Sequence, residues 1–551
     1  MAHLLALCLA ATAASPRGAV ATAHPLASQA AAQVLRDGGN AVDAAVAAAL
    51  VLAVVEPQSS GIGGGGFALV RRAGSDEVVA LDFREVAPAG AKPDMFMNAP
   101  DGRPAPSLDG GLAVAVPGAV KGYAELARRY GKLPFARLAE PAARAAERGV
   151  PVNLHYVRAA RARLACLAAR PEAARRFLAR GEDGAWVAPQ PGWRLVQPEL
   201  ARTLRALGKD PERFYRGPLA ERIAAAARAD GGLLSAADLA AYRTRPRTAL
   251  EGHYRGHRVV SMPLPSSGGA IVIGLLQALE HEPAPADHVT SARWLHVMAE
   301  LEKRLYARRA ALGDPDFVPA AAAAVAEQVS PAFAAALYGA VGERAAPVEA
   351  PPPPRETSQT THVSVIDGQG NAIALTTTVN YYFGSCVAVP GAGFLLNDQM
   401  DDFDRAPGTA NVFGAVGTGH NLPAAGKVPL SSMSPTLVFG PDGRLRLAVG
   451  ASGGTTIPTS VAQVISHLVD NGMTLAQAVG TPRLHHQWQP DALQVEPGAL
   501  QAETAQALTA RGHQLLWRDR PWGNPQAVQI SPEGWCEAAG DPSGQGVPAA
   551  P

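Results

Sequence analysis

Residues 44–55 read AAVAAALVLAVV, without one polar side chain, and this segment limits what the chain can fold into. Asn40 stands before it as a cap, and Asp43, three residues on, can meet the free N–H groups of a first helical turn. A helix apolar on all sides must be covered on all sides. About twelve residues are too few to cross a bilayer, which needs about 20, so the segment is predicted to lie inside protein. Its small Ala and Val side chains allow close packing against a sheet. An earlier helix is predicted over 25–37, stopped by Gly38-Gly39. The following run Gly61-Ile62-Gly63-Gly64-Gly65-Gly66 matches G-x-G-x-x-G, but a helix precedes it and a strand pattern, 67–70, follows. Dinucleotide binding needs the opposite order; a tight turn where backbone approaches something closely is the better reading.

The chain has 551 residues, 47% hydrophobic and 18% charged, with a net charge of +1. That is a globular composition without the electrostatic footprint of a nucleic-acid binder, and no basic amphipathic helix favours a membrane surface. The cysteines Cys8, Cys166, Cys386 and Cys536 stand far apart with no paired metal spacing, so neither a metal site nor a disulfide framework is expected. Residues 1–15 are a signal-peptide candidate: a short apolar run, then Ala11-Thr12-Ala13 of A-x-A form, although no Lys or Arg precedes it. The location expected is periplasmic or secreted, or cytoplasmic if the run is no signal. From about 120 to 350 the pattern is mainly helical, with an extended break at 252–269. Periodicity is lost over about 343–359, where Pro351 to Pro354 favour an extended, exposed linker. After residue 360 the pattern becomes strands rich in Gly, Ser and Thr.

At that junction stands Gln359-Thr360-Thr361-His362. A hydroxyl there can attack the preceding peptide bond and leave Thr360 as a new N-terminus. Its free amine, with a pKa of about 7.7–8.0, could then take the proton of its own hydroxyl. The plain alternative is a linker entering an ordinary strand. Strands over 361–366 and 372–380, joined by a turn at 367–370, would set Thr360 opposite residue 377 or 378, bringing Thr378 within reach; Thr is also common in strands for its propensity alone. The cluster 397–402 reads as a solvated turn, since it lacks the spacing of a calcium loop, and Ser431-Ser432 as turn residues. Gly450-Ala451-Ser452-Gly453-Gly454 fits a nucleophile elbow between a strand and a helix at 459–469, with Asp470 or Asp491 and His485 or His486 to complete a triad. The same glycines could instead offer backbone N–H groups to an oxyanion.

Eight motifs in one order then mark a resemblance: GGNAVDAA at 38–45, LDFRE at 81–85, MPLPSSGG at 262–269, QTTHVSV at 359–365, TTTVN at 376–380, LLNDQMDDF at 395–403, PLSSMSPT at 429–436 and GASGG at 450–454. Over about residues 16–541 the chain resembles the γ-glutamyltransferases (γ-glutamyltranspeptidases), which are N-terminal-nucleophile hydrolases. The resemblance implies a four-layer αββα sandwich shared by a large subunit, 16–359, and a small subunit, 360–551, produced by a cut between Gln359 and Thr360. It implies Thr360 as nucleophile, Thr378 as its hydroxyl partner, and the Gly453 and Gly454 N–H groups as oxyanion hole, leaving Ser452 structural. Arg84 would grip the substrate α-carboxylate with Ser431 and Ser432 beside it, while Asn380, Gln399 and Asp402 hold the α-amino end. The implied substrates are glutathione and other γ-glutamyl compounds, with water, an amino acid or a dipeptide as acceptor, and neither metal nor organic cofactor is implied; the adjacent His485-His486 then reads as structural. Two departures concern detail: Phe413 stands where bacterial relatives often carry a Tyr that closes over the substrate, and Asp541-Pro542-Ser543 replaces a more usual Asp-Pro-Arg. The alternatives are a glutaryl or cephalosporin acylase on the same scaffold, for which Asp402 would be idle, and a non-catalytic relative that binds amino acids or peptides.

Overall fold

The computed structural model describes residues 10–97, 106–285, 289–348, 360–544 and 546–551. Two β-sheets face each other between two layers of helices, the αββα order expected. One sheet has six strands in the order Gly18–Thr22, Thr361–Asp367, Ala372–Thr378, Gly65–Arg71, Val78–Phe83 and Arg245–Thr248. The other has seven, in the order Thr12–Ser15, Cys536–Gly540, Gln526–Ile530, Leu445–Gly450, Thr436–Phe439, His257–Ser261 and Leu250–Tyr254. Both sheets are antiparallel throughout. Both also mix strands from either side of residue 360.

The apolar segment forms the helix Ala41–Val55, and every one of its residues is buried. Its start is the capping box anticipated: Asn40 Oδ1 accepts the Val42 and Asp43 N–H groups, and Asp43 in turn accepts the Asn40 N–H. The helix lies on the outer face of the six-stranded sheet, sharing an apolar cluster with Val363, Val365, Ile373 and Leu375. Alternate residues of the same two strands, Ile366, Ala372 and Ala374, point the other way and pack against Val438, Leu447 and Ala448 of the second sheet. Strand alternation thus feeds two cores at once. Burying each Val or Leu here contributes about 1.5–3 kcal/mol, which is why the helix carries no polar residue after Asp43. The helices Gly268–Leu279, Ala292–Arg309 and Ile457–Asn471 cover the outer face of the seven-stranded sheet. No single helix among the described residues is long and apolar enough to cross a membrane.

The earlier predicted helix is Pro25–Arg36, and the extended break contains the hairpin Leu250–Tyr254 and His257–Ser261. Residues 1–9 and 349–359, which include most of the leader and the proline run, lie outside the described residues. Thr12–Ser15 is an edge strand paired with Cys536 to Ala539. One expectation is corrected: Cys166 and Cys386 form a disulfide, with Cα atoms 6.1 Å apart across a sequence separation of 220. Sequence spacing could not reveal this pair, because only the packing of the helix Leu164–Ala168 against the turns after Asn380 brings it together. The bond joins the chain on either side of residue 360. Cys536 is buried and free.

Candidate active site

The hairpin Thr361–Asp367 and Ala372–Thr378 pairs Thr361 with Thr377, and extending that register sets Thr360 opposite Thr378. The Thr360 hydroxyl points at Thr378 Oγ1 across 3.5 Å, the long end of hydrogen-bond reach. Thr378 Oγ1 also accepts the Asn380 N–H at 2.9 Å. A hydroxyl oxygen has two lone pairs, so it can accept from the Asn380 N–H and from Thr360 together. The neighbouring hydroxyls are engaged as well: Thr377 bonds Tyr123 Oη at 2.8 Å and the Gly65 carbonyl at 2.9 Å, and Thr376 bonds His362 Nδ1 at 2.8 Å. Burial lowers the His362 pKa to about 3, so the imidazole is neutral. The glycine run explains itself against this strand, since a Cβ on Gly64 would lie 1.9 Å from the Thr378 carbonyl oxygen.

Thr360 and Thr378 line one cavity together with Arg84, Asp402, Ser431 and Ser432. Arg84 follows directly on the strand Val78–Phe83 and is 1% exposed. Arg84 and Asp402, the residues expected at the two ends of a zwitterion, are hydrogen-bonded to each other as a buried ion pair. Gln399 Nε2 donates to Asp402 Oδ2 at 2.7 Å and Asn411 Nδ2 to Oδ1 at 3.2 Å. Burial raises the Asp402 pKa, while Arg84 and Arg309 pull it back. Glu85, 3.8 Å from Arg84 Nη1, is pushed up to about 8 by burial and is largely neutral at pH 7. Asp402 rather than Glu85 is the carboxyl that meets Arg84 directly. Asn380, in the left-handed region at φ 80°, lines the cavity and donates from Nδ2 to the Asp398 carbonyl at 3.1 Å. Gln399 stands behind Asp402 and steadies it. Ser431 is fixed by Ser267, whose N–H and Oγ both donate to its carbonyl, at 2.9 and 2.8 Å.

Gly453 (φ 136°) and Gly454 (φ 53°) lead from the strand Leu445–Gly450 into the helix Ile457–Asn471. Neither N–H is used by the chain's own backbone among the described residues. A Cβ on Gly454 would sit 2.8 Å from the Phe413 ring, and one on Gly453 would sit 2.2 Å from Thr456 Oγ1, so both positions exclude side chains. The serine-triad alternative fails on geometry. Ser452 Oγ donates to the Gly523 carbonyl at 3.0 Å. His485 is held by Thr459 and Gln487, each at 2.9 Å, and His486 by Asp491 at 3.2 Å. Asp470 accepts from Ser466 at 2.7 Å and Arg255 at 3.1 Å. The acidic stretch 397–402 is no solvated turn either. Asp401, its pKa raised by burial to about 6, accepts the Val412 N–H at 2.9 Å, and Asp404 the Gly419 N–H at 3.0 Å. These carboxylates tether the loop that lays Phe413 over Gly454. Near the C-terminus Asp541 meets Arg483 at 2.6 Å and the Ser543 N–H at 2.7 Å.

Sequence reasoning missed Arg309, Asn411 and Glu85. Arg309 ends the helix Ala292–Arg309, donates from Nε to Ser267 Oγ at 3.1 Å and lines the cavity. Burial lowers its pKa. One signal was available: Arg309 continues the stripe of Glu302, Leu305 and Tyr306, all buried, and a cation on a buried helix face calls for a partner.

Two facing sheets between helical layers, with a threonine heading a central strand and lining the cavity, define an N-terminal-nucleophile hydrolase fold. The model of the gamma-glutamyltranspeptidase family matches residues 27–550, and the chain belongs to that family. It is 39% identical over 539 residues to the glutathione hydrolase proenzyme of Escherichia coli, covering 96% of this chain and 90% of that protein. To the glutathione hydrolase proenzyme of Pseudomonas aeruginosa it is 40% identical over 547 residues, with 96% and 94% covered. The crystal structure of a cephalosporin acylase from Bacillus halodurans superposes with a TM-score of 0.86 at 28% identity, covering 98% of this chain and 96% of that one. The protein is an enzyme of the γ-glutamyltransferase, or glutathione hydrolase, type.

Proposed function

We propose that the chain cuts itself between Gln359 and Thr360 and then hydrolyses or transfers γ-glutamyl groups with Thr360 as nucleophile. In the cut, Thr360 Oγ adds to the Gln359 carbonyl carbon, the C–N bond to Thr360 breaks, and water hydrolyses the resulting ester. The products are a large subunit ending at Gln359 and a small subunit, 360–551, the latter bearing a free α-amine; the expected large subunit 16–359 needs separate removal of residues 1–15. In turnover, Thr360 Oγ attacks the γ-amide carbonyl of glutathione or a related compound while the α-amine takes the hydroxyl proton. Thr378 holds the hydroxyl in line, and the Gly453 and Gly454 N–H groups receive the developing oxyanion. The proton passes to the departing amine as the C–N bond breaks, leaving a γ-glutamyl ester on Thr360. Water then yields glutamate, or an amino acid or dipeptide takes the group.

The observation that carries the reading is the buried Arg84–Asp402 pair in the cavity of Thr360 and Thr378. A γ-glutamyl group bears an ammonium and a carboxylate on one carbon, and that pair offers one charge to each. Arg84 can meet the carboxylate with parallel N–H bonds, assisted by Ser431 and Ser432, while Asp402, steadied by Gln399, takes the ammonium with Asn380. A glutaryl or cephalosporin acyl group would leave Asp402 without that partner; the likeness to the Bacillus halodurans acylase keeps this second reading in the test. A purified sample should show two bands on a reducing denaturing gel, the smaller beginning TTHVS, and Thr360→Ala should give one full-length band without turnover. γ-Glutamyl anilide should be cleaved far faster than glutaryl anilide, and equal rates would count for the acylase. An exported location is supported by Ala11-Thr12-Ala13 and by the Cys166–Cys386 disulfide, a bond that persists in oxidising compartments.

A further inference from the structure

Two guanidinium groups line the cavity of Thr360, and only one of them is paired. Arg84 has Asp402 in contact. Arg309, itself 8% exposed, has no carboxylate within ion-pair reach among the described residues; Asp402 and Asp404 act on it only through space. Asp404 is occupied by the Gly419 and Asn421 N–H groups, at 3.0 and 3.3 Å. Among the described residues the Arg309 guanidinium makes one hydrogen bond, from Nε to Ser267 Oγ at 3.1 Å.

That bond ties Arg309 to one wall of the cavity, because Ser267 in turn donates to the Ser431 carbonyl. With Nε turned to Ser267, the two Nη groups at the other end of the fork are left over. A cation taken out of water without a partner destabilises the fold, and an anionic ligand that completes the pair offsets that loss. Since Arg84 is engaged by Asp402, the uncommitted positive charge in the cavity is that of Arg309.

We propose that Arg309 is a second specificity-determining cation of this cavity, meeting the α-carboxylate of the γ-glutamyl group while Arg84 grips it. The proposal rests on the γ-glutamyl reading and adds a residue to its acyl site. Arg84 must exchange Asp402 for the substrate carboxylate as the ammonium takes its place on Asp402; Arg309 needs no such exchange. It acts on a carboxylate that Arg84 already holds, so the two residues should be coupled rather than additive. One charge at short range in a cavity screened from water should contribute a preference of about tenfold.

The test compares kcat/KM for γ-glutamyl p-nitroanilide with that for 4-aminobutyryl p-nitroanilide, which lacks only the α-carboxylate. Arg309→Met should lower the preference for the first about tenfold, mainly through KM, and should leave Tm unchanged or higher, since the charge it removes is unpaired. Arg309→Gln repeats the comparison if the Met variant does not mature. Arg309→Lys, which keeps the charge, should retain most of the preference, and in an Arg84→Gln background Arg309→Met should change the ratio little. A matured neutral variant that keeps the wild-type ratio, or that loses both compounds alike, would overturn the proposal, as would a Lys variant no better than the neutral ones. A wild-type enzyme that cleaves glutaryl p-nitroanilide as fast as the γ-glutamyl compound would overturn the γ-glutamyl reading alone. Arg309 is then judged on glutaryl against butyryl p-nitroanilide, where the same fall is expected and its absence overturns the proposal.

Discussion

Replacing Arg84 by Gln should remove the α-carboxylate clamp while preserving a side chain of similar reach. Two charge-assisted hydrogen bonds at about 1.5–3 kcal/mol each amount to about 3–6 kcal/mol, or about 150- to 25,000-fold in kcat/KM. The variant also leaves Asp402 without its ion-pair partner. Stranding a fully buried charge costs about 3–5 kcal/mol of stability; here Gln399 and Asn411 still donate to Asp402, so the loss should fall at or below the lower end. Arg84→Gln/Asp402→Asn removes the stranded charge and should recover stability without recovering activity. The decisive assay pairs γ-glutamyl p-nitroanilide with 4-aminobutyryl p-nitroanilide, identical except for the α-carboxylate. Wild-type enzyme should prefer the first by about 100-fold or more, and Arg84→Gln should treat the two nearly alike. A folded, matured Arg84→Gln enzyme that keeps the wild-type ratio would refute the assignment of Arg84.

Thr378→Val keeps the strand but deletes the acceptor facing Thr360, and kcat on γ-glutamyl anilide should fall about 100-fold, with slower appearance of the two bands. Glu56 has a raised pKa of about 8 against an ordinary value of 4.5, so the folded protein keeps a proton that the unfolded chain has released. Its contribution to stability is present below pH 4.5 and lost as pH rises through about 8; Glu56→Gln should therefore shrink the fall in Tm between pH 6 and pH 9, and an unchanged fall would reject the buried neutral carboxyl. On a gel run without reductant the matured protein should stay as one covalently linked species through Cys166–Cys386, and Cys386→Ser should separate into two bands with or without reductant.

Those parts of the molecule that neighbouring residues determine are legible in the amino-acid order. Asn40 and Asp43 announce their capping box, the run after Asp43 announces a helix covered on all sides, and alternation with a four-residue turn places Thr360 against Thr378 to within one residue. Cys166–Cys386 and Arg309 are not legible in this way. Each joins segments far apart in the chain, and no local pattern encodes which distant helix a turn will meet. The charged pair is half legible: the motifs give Arg84 and Asp402 as partners of one substrate, but not that they neutralise each other across the cavity. That contact follows from burial, which makes two nearby opposite charges bind each other.

In the six-stranded sheet, the hairpin 361–378 is inserted between Gly18–Thr22 on one side and Gly65–Arg71 on the other. A backbone severed before Thr360 consequently yields two polypeptides woven through one another, and neither can leave without tearing rows of main-chain hydrogen bonds from both sheets. Maturation of this kind runs in one direction: assembly must come first and scission second. Two differently tagged mature samples mixed together should never trade halves.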